Sequence, residues 1–292
     1  MHIFKEKLLH LIHCRTVSNK ALRALLQHDP ELKNLYVTPL DDLQRILQLT
    51  PSQMKIFSRD FRSIEIQRLL KLYSSKNIMI ITYNDPEYPQ LLKEIYDPPI
   101  VLFSIGDTSI LEKNAIAIVG ARDANQYAEI AIDHLLPRLI KENFVIVSGL
   151  ANGTDTIAHK RAIAYGGKTI AILGGGFFHI YPRENKQLAE KIKQSHLLIS
   201  EYPPIQRPEK WHFPMRNRII SGLALGTIVV QAKSKSGSLI TADCALEVGR
   251  EVFALPGNID DPLSAGTNHL IQQGAKLVTS SQDIIDELNL DY

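Results

Sequence analysis

At 292 residues, 45% hydrophobic and 22% charged, the chain has the composition of a globular protein with room for one large α/β domain and a smaller module. A formal net charge of +2 is too small to name an anionic partner, so charge has to be read segment by segment. The two cysteines, Cys14 and Cys244, belong to no CxxC or Cys/His pattern, which argues against a zinc site or a disulfide framework and fits a reduced, cytoplasmic setting. Neither an N-terminal apolar core of the signal-peptide type nor a run of membrane-spanning length is present, so no membrane association is expected.

From Met1 to about Ser75 apolar residues recur at helical spacing, as in Leu8, Leu9 and Ile12, then Leu22, Leu25 and Leu26, then Leu40, Leu43, Ile46 and Leu47. Thr38-Pro39 and Thr50-Pro51 each place a capping hydroxyl before a proline suited to the first helical position. The pattern predicts a small all-helical domain over residues 1–75 and a second domain over 76–292, with the boundary between 70 and 78. Ile78 to Ile81 opens the strand-rich part, and Tyr83 to Pro89 with Asp97-Pro98-Pro99 forms a turn-rich passage ahead of a strand at Ile100 to Phe103.

Strands and helices then alternate: strand 115–120, helix 127–141, strand 143–148, helix 154–165 and strand 168–173. Further strands are predicted near 197–201, 226–232, 251–255 and 276–279, before a short acidic helix from Asp283 to Leu288. Near-continuous Ile/Val runs between helices define a mostly parallel sheet covered on both faces. In such sheets ligands bind beyond the carboxyl ends of the strands.

Glycine-bearing turns recur at those ends, after Ile116-Ala117-Ile118-Val119 (Gly120), Val145-Ile146-Val147 (Ser148 to Gly153), Thr169 to Leu173 (Gly174 to Gly176) and Ile228-Val229-Val230 (Lys235 to Ser238). Such turns aim backbone N–H groups and helix N-termini at one spot, an arrangement that suits phosphate, and several along one edge suggest a long polyphosphate ligand. The dinucleotide fingerprint G-x-G-x-x-G and the P-loop G-x-x-x-x-G-K-[ST] are both absent, and no cofactor is expected.

Arg122, after a buried strand and a glycine, is placed to straddle a phosphate or, alternatively, to pair with Asp123. Asp155 and His159, four apart on one helix, could form an acid-base pair; bracing of the helix start by Asp155 is the stronger reading. From Arg207 to Arg218 cations interleave with Trp211 and Phe213, the composition of a single-strand platform, with core anchoring of Trp211 equally open. Lys233 to Thr241 opens a helix with two cations, small hydroxyls and Gly237, which makes an oxyanion pocket.

These residues together resemble the bacterial DNA-processing family called DprA or Smf. The motifs are Ser148-Gly149-Leu150-Ala151-x-Gly153-x-Asp155-x-x-Ala158-His159, Tyr181-Pro182, Ser200-Glu201-Tyr202, Phe213-Pro214-x-Arg216-Asn217-Arg218-Ile219-Ile220-x-Gly222-Leu223, Ser236-Gly237-Ser238-Leu239-Ile240-Thr241 and Ala254-Leu255-Pro256-Gly257. The resemblance covers about residues 78–280. It implies an α/β fold, an extended Rossmann-like domain with a mostly parallel sheet, preceded by a sterile-alpha-motif-like helical domain. It further implies sequence-independent binding of single-stranded DNA, homodimerisation and help in loading the recombinase RecA during natural transformation, with no catalytic step.

Carried onto this chain, Arg122, Ser148, Arg183, Arg216, Asn217, Arg218, Lys235 and Thr241 would line the DNA pocket, and the amides of the Gly149–Gly153 and Ser236–Gly237–Ser238 turns would receive phosphates. Asn268, Ile271 and Leu277 fall in the segment that resembles the family's dimer-forming surface. Phe178 and Gln231 stand where the family often has acids, which argues against carboxylate chemistry, and Asn268 replaces a common histidine. No winged-helix segment follows Tyr292, so duplex binding by such a module is not expected. Two rival readings are a nucleoside-monophosphate phosphoribohydrolase of the lysine-decarboxylase-like group, whose PGGxGT motif is missing at Pro256-Gly257-Asn258-Ile259, and a recombination scaffold without DNA affinity.

Overall fold

The computed structural model describes residues 3–288; Met1, His2 and residues 289–292, the outer ends of the two expected domains, lie outside it. The chain divides into two compact units, residues 1–83 with 99–102 and residues 84–98 with 103–292.

The smaller unit holds helices α1 (Ile3–His13), α2 (Asn19–His28), α3 (Leu40–Ile46), α4 (Pro51–Ser63) and α5 (Ile66–Ser75), then strand β1 (Met79–Thr82). Each helix is short, so its stability comes from the apolar stripe it buries: Leu8, Leu9, Leu22, Leu25, Leu43 and Phe57 are all almost fully inaccessible. Thr50 forms the expected cap, accepting from the Gln53 amide at 3.3 Å while its own amide donates to Gln53 Oε1 at 2.9 Å. Thr38 does not cap. Its hydroxyl donates to Asn34 O at 2.8 Å, and Pro39 takes the N-cap position of α3.

The larger unit contains α6 (Gln90–Lys93), the end of β2 (Val101–Gly106), then β3 (Ala115–Val119), α7 (Gln126–Lys141), β4 (Val145–Ser148), α8 (Thr154–Ala164), β5 (Thr169–Leu173), α9 (Lys186–Ser195) and β6 (Leu197–Ser200). It continues with α10 (His212–Gly222), β7 (Gly226–Val229), α11 (Gly237–Glu247), β8 (Glu251–Ala254), α12 (Ala265–Gln272), β9 (Lys276–Leu277) and α13 (Ser281–Glu287). Strand order in this unit is β2-β6-β5-β4-β3-β7-β8-β9. Every pairing from β6 to β9 is parallel, and β2 runs antiparallel to β6. β3 to β6 and β7 are buried at every position, as Ile/Val runs covered by helices on both faces require.

The chain starts at β3, steps outward through β4, β5 and β6, and returns to the other side of β3 with β7, β8 and β9. Between the carboxyl ends of β3 and β7 the connections therefore diverge. That crevice is the topological switch point, where a doubly wound sheet receives its ligand.

Candidate nucleic-acid interface

A pocket of about 590 Å³ opens at this switch point. Its walls come from the turn after β3 (Gly120 to Asp123), Ala151 and Asp155, Tyr181, the start of α10 (Phe213, Pro214, Arg216, Asn217, with Lys210 before it), and the β7–α11 connection (Lys233, Lys235 to Ser238, Ile240, Thr241). Five separate connections meet there because parallel strands all end on one side.

Two turns interlock to form the base. Gly153 has φ +72°, and a Cβ there would stand 2.3 Å from Ala121 O, so only glycine lets the β4–α8 turn lie against the β3 turn. The Thr154 amide and hydroxyl then donate to Ala121 O at 3.1 and 3.2 Å. Below them the Asp155 carboxylate accepts from the amides of Gly149 at 3.1 Å and Ala151 at 3.2 Å, bracing the turn as expected. Arg216, also buried, donates through one guanidinium nitrogen to Gly149 O and Ile172 O, tying the ends of β4 and β5 together. Burial pushes the Asp155 carboxyl up, opposed by the Arg216 charge and the two amides; burial pushes Arg216 down, opposed by Asp155. The floor thus carries a compensated charge pair.

The cations at the rim are exposed. Arg122 lies over the Phe213 ring, 6.0 Å from its centroid, and Tyr181 meets the same ring at 5.5 Å. Lys210 and Lys235 face solvent, and among the described residues Lys235 has no hydrogen bond or ion pair. Lys233 is paired with Asp123. At the start of α11 Ser236 caps the Ser238 amide at 3.3 Å, and Asn217 Nδ2 donates to Gly237 O at 3.2 Å, which fixes the turn. The helix N-terminus therefore opens into the pocket beside Lys235, and a Cβ on Gly237 would meet nothing within 4 Å.

Of the residues carried over from the family, Arg122, Arg216, Asn217, Lys235, Ser236, Gly237, Ser238 and Thr241 line this one pocket. Others are placed elsewhere. Ser148 is fully buried and its hydroxyl donates to Ile118 O at 2.6 Å; the Gly149 amide is occupied by Asp155. Gly153 acts through backbone shape, its Cβ position filled by the Ala121 and Arg122 carbonyls. Arg218 turns away from the pocket to Glu201 at 2.6 Å and Asp97 at 3.5 Å. Arg183 is exposed in a 3₁₀ turn outside the lining, two residues beyond Tyr181.

The Gly174–Gly176 turn is no phosphate cradle. Phe213, Pro208 and the Pro203–Pro204 backbone fill the space a side chain would take, and the Gly176 amide donates to Gln206 O at 2.8 Å. Trp211 is 57% exposed with its indole N–H on Glu209 at 2.7 Å, so it is not a core anchor. Asp155 and His159 form no acid-base pair: His159 Nδ1 meets Thr169 Oγ1 at 2.6 Å, and that hydroxyl donates to Ile146 O. Gln231 is spent on Asn125. Among the described residues no cluster of His, Cys, Asp and Glu could hold a metal ion, and no helix is long and apolar enough to cross a membrane.

On the segment expected to form a dimer surface, Leu277 is 44% exposed on edge strand β9 and Ile271 is half-buried on α12. Asn268 instead clamps its own chain, accepting from the Gly257 amide and donating to Gly257 O, each at 3.1 Å. Tyr181 and Lys210 are pocket residues that sequence reasoning left out of the site. Their signal was the Tyr-Pro pair after a glycine turn and the cation adjoining Trp211.

Fold and pocket define a doubly wound α/β protein with a cationic, glycine-lined crevice at its switch point. The family profile for DNA recombination-mediator protein A matches residues 79–289. The DNA processing protein DprA of Bacillus subtilis (strain 168) is 52% identical over 232 residues, 78% of either chain, and that of Streptococcus pneumoniae (strain ATCC BAA-255 / R6) is 51% identical over 203 residues, 70% of this chain and 72% of the relative. The X-ray structure of DprA from Streptococcus pneumoniae superposes with a TM-score of 0.86 at 40% identity over the whole of both chains. A Helicobacter pylori DNA processing protein A, solved for its single-stranded DNA binding mode, superposes at 0.66 with 33% identity over 73% of this chain and 97% of its own. This chain belongs to the DNA recombination-mediator protein A family.

Proposed function

We propose that this protein binds single-stranded DNA without sequence preference and helps load a RecA recombinase onto it, without a catalytic step. One observation carries the reading: Arg122, Lys210 and Lys235 and the N-terminus of α11 face a single open pocket at the switch point. Cations and amides take the phosphates, and Phe213 with Tyr181 offers ring faces that any base can use, which is how sequence-tolerant binding arises. Of the two carboxylates in the lining, Asp155 is committed to two amides and Asp123 to Lys233, which supports binding rather than hydrolysis.

Fluorescence anisotropy with labelled single-stranded and duplex oligonucleotides across a salt series tests this. Arg122→Ala with Lys235→Ala is expected to weaken single-strand binding and to flatten the slope of log K against log salt by about 1.4, two cations at about 0.7 each. Salt-insensitive binding, or a double variant that binds like wild type, rejects the reading.

The half-buried Ile271 and exposed Leu277 beside the open edge of β9 support a homodimer through that edge. Ile271→Glu should then sediment as a monomer at concentrations where wild type does not, and identical profiles would remove Ile271 from the interface.

A further inference from the structure

The positive charge of this chain is concentrated in the N-terminal helical segment. Residues 1–78 carry thirteen Lys and Arg against seven Asp and Glu, and the remainder carries twenty against twenty-four. On α4, Lys55, Arg59 and Arg62 follow at i, i+4 and i+7, so they form one stripe, and all three are exposed. The other side of the helix is occupied by Phe57 and Asp60, both buried.

Asp60 anchors Arg15 beside the stripe and pairs with Arg59 on it. Its carboxylate accepts Arg15 Nε at 2.9 Å and a second Arg15 nitrogen at 2.6 Å, and lies 3.8 Å from Arg59 Nε. The two guanidinium groups remain 63% and 65% exposed. One buried carboxylate thus holds two arginines side by side at the surface, and Lys55 and Arg62 beside them have no ion pair among the described residues. Exposed Ser52 and Ser63 adjoin the stripe. Guanidinium groups fixed in this way, flanked by further cations and hydroxyls, suit phosphodiester oxygens. Insertion into a bilayer would need an apolar face next to the basic one, and on α4 the apolar side, with Phe57, is buried; purely electrostatic attachment to anionic lipid is what a comparison with vesicles separates.

We propose that the α4 stripe, with Arg15, is a second binding surface for the sugar-phosphate backbone of DNA, built from residues other than those of the switch-point pocket. It rests on the pocket reading only for the choice of DNA as the polyanion. Its role is electrostatic, so it acts on single-stranded and duplex backbone alike.

The test uses the full chain carrying Lys55→Gln, Arg59→Gln and Arg62→Gln, alone and combined with Arg122→Ala and Lys235→Ala, against long single strands, long duplexes and short single strands. For long DNA of either form the triple variant should bind about tenfold more weakly at low salt, with a salt slope reduced by about 2.1 on single strands, three cations at about 0.7 each, and by about 2.7 on duplex, three at about 0.9 each. Short strands should bind it as they bind wild type. A charge-conserving triple, Lys55→Arg, Arg59→Lys and Arg62→Lys, should keep the wild-type salt slope for long DNA, and an unchanged thermal melt of the glutamine triple excludes unfolding as the cause. The inference is overturned if the glutamine triple binds long DNA with wild-type affinity and slope, or if it loses binding to anionic vesicles and not to DNA. If the pocket pair alone changes nothing while the triple abolishes binding, the α4 surface stands and the pocket reading falls.

Discussion

Gly237 is the position at which the pocket can be blocked without disturbing the fold. It lies at the first turn of α11, its φ is not in the left-handed region, and a side chain there would enter open space. Gly237→Glu places a carboxylate where a phosphate is expected to sit. Circular dichroism and the melting temperature should stay close to wild type, within the small changes usual for surface positions. Single-strand affinity should fall at least about tenfold, since like charges about 4 Å apart near a protein surface repel by more than about 1.4 kcal/mol. Wild-type affinity in a folded variant would mean that DNA does not approach this turn. Arg216 and Arg218 mark the limit of what the sequence could tell at this scale. Both flank Asn217 in one motif, yet two residues along a helix is a rotation of about 200°, so they cannot share a face. Arg216 points under the pocket and Arg218 away from it to Glu201 and Asp97. The motif named the helix, but only the angle of α10 against the sheet decides which guanidinium meets the ligand.

At the scale of elements, two buried imidazoles make the helices that hold them sensitive to acid. His13 on α1 contacts Leu9 O at 2.7 Å and Tyr73 OH of α5 at 2.5 Å, and burial lowers its pKa to about 4. His159 on α8 is wholly buried with Nδ1 on Thr169, and burial, followed by His196 and Arg216, lowers it to about 3. Both values lie below the 6.5 of an exposed ring, so between pH 6.5 and 4 the unfolded chain takes up protons that the folded chain refuses. Stability is therefore complete above that window and declines as pH falls through it, by up to roughly 3 kcal/mol per ring. Urea melts at pH 7.5 and 4.5 check this; equal midpoints would refute it. The elements themselves were legible, because Ile/Val runs and helical spacing report burial directly: predicted strands 115–120 and 168–173 became Ala115–Val119 and Thr169–Leu173. The glycine turns were less so. Gly120 and Gly174 read alike in sequence, and both are closely packed, Gly120 against Thr154 and the Gln231 carbonyl and Gly174 against Phe213, but only the Gly120 turn lines the pocket. Nothing local distinguishes a glycine turn that borders a pocket from one that a ring covers.

For the whole molecule, the sequence yields a parallel α/β architecture but not a strand order, since the return from β6 to β7 across β3 is a non-local event. That one crossover decides where the switch point falls and so which of the glycine turns converge. One outcome of the convergence can be read with reagents rather than variants. Lys233 is tied to Asp123, whereas Lys235, two residues on, stands alone at the mouth of the crevice. An amine-selective acylating agent followed by peptide mass mapping should therefore label Lys235 ahead of Lys233 in the free protein, and an occupying strand should shield it. Equal labelling with and without oligonucleotide would put the strand elsewhere. Shielding of a single ammonium would serve as a built-in gauge of occupancy, readable in unmodified protein and without a fluorophore.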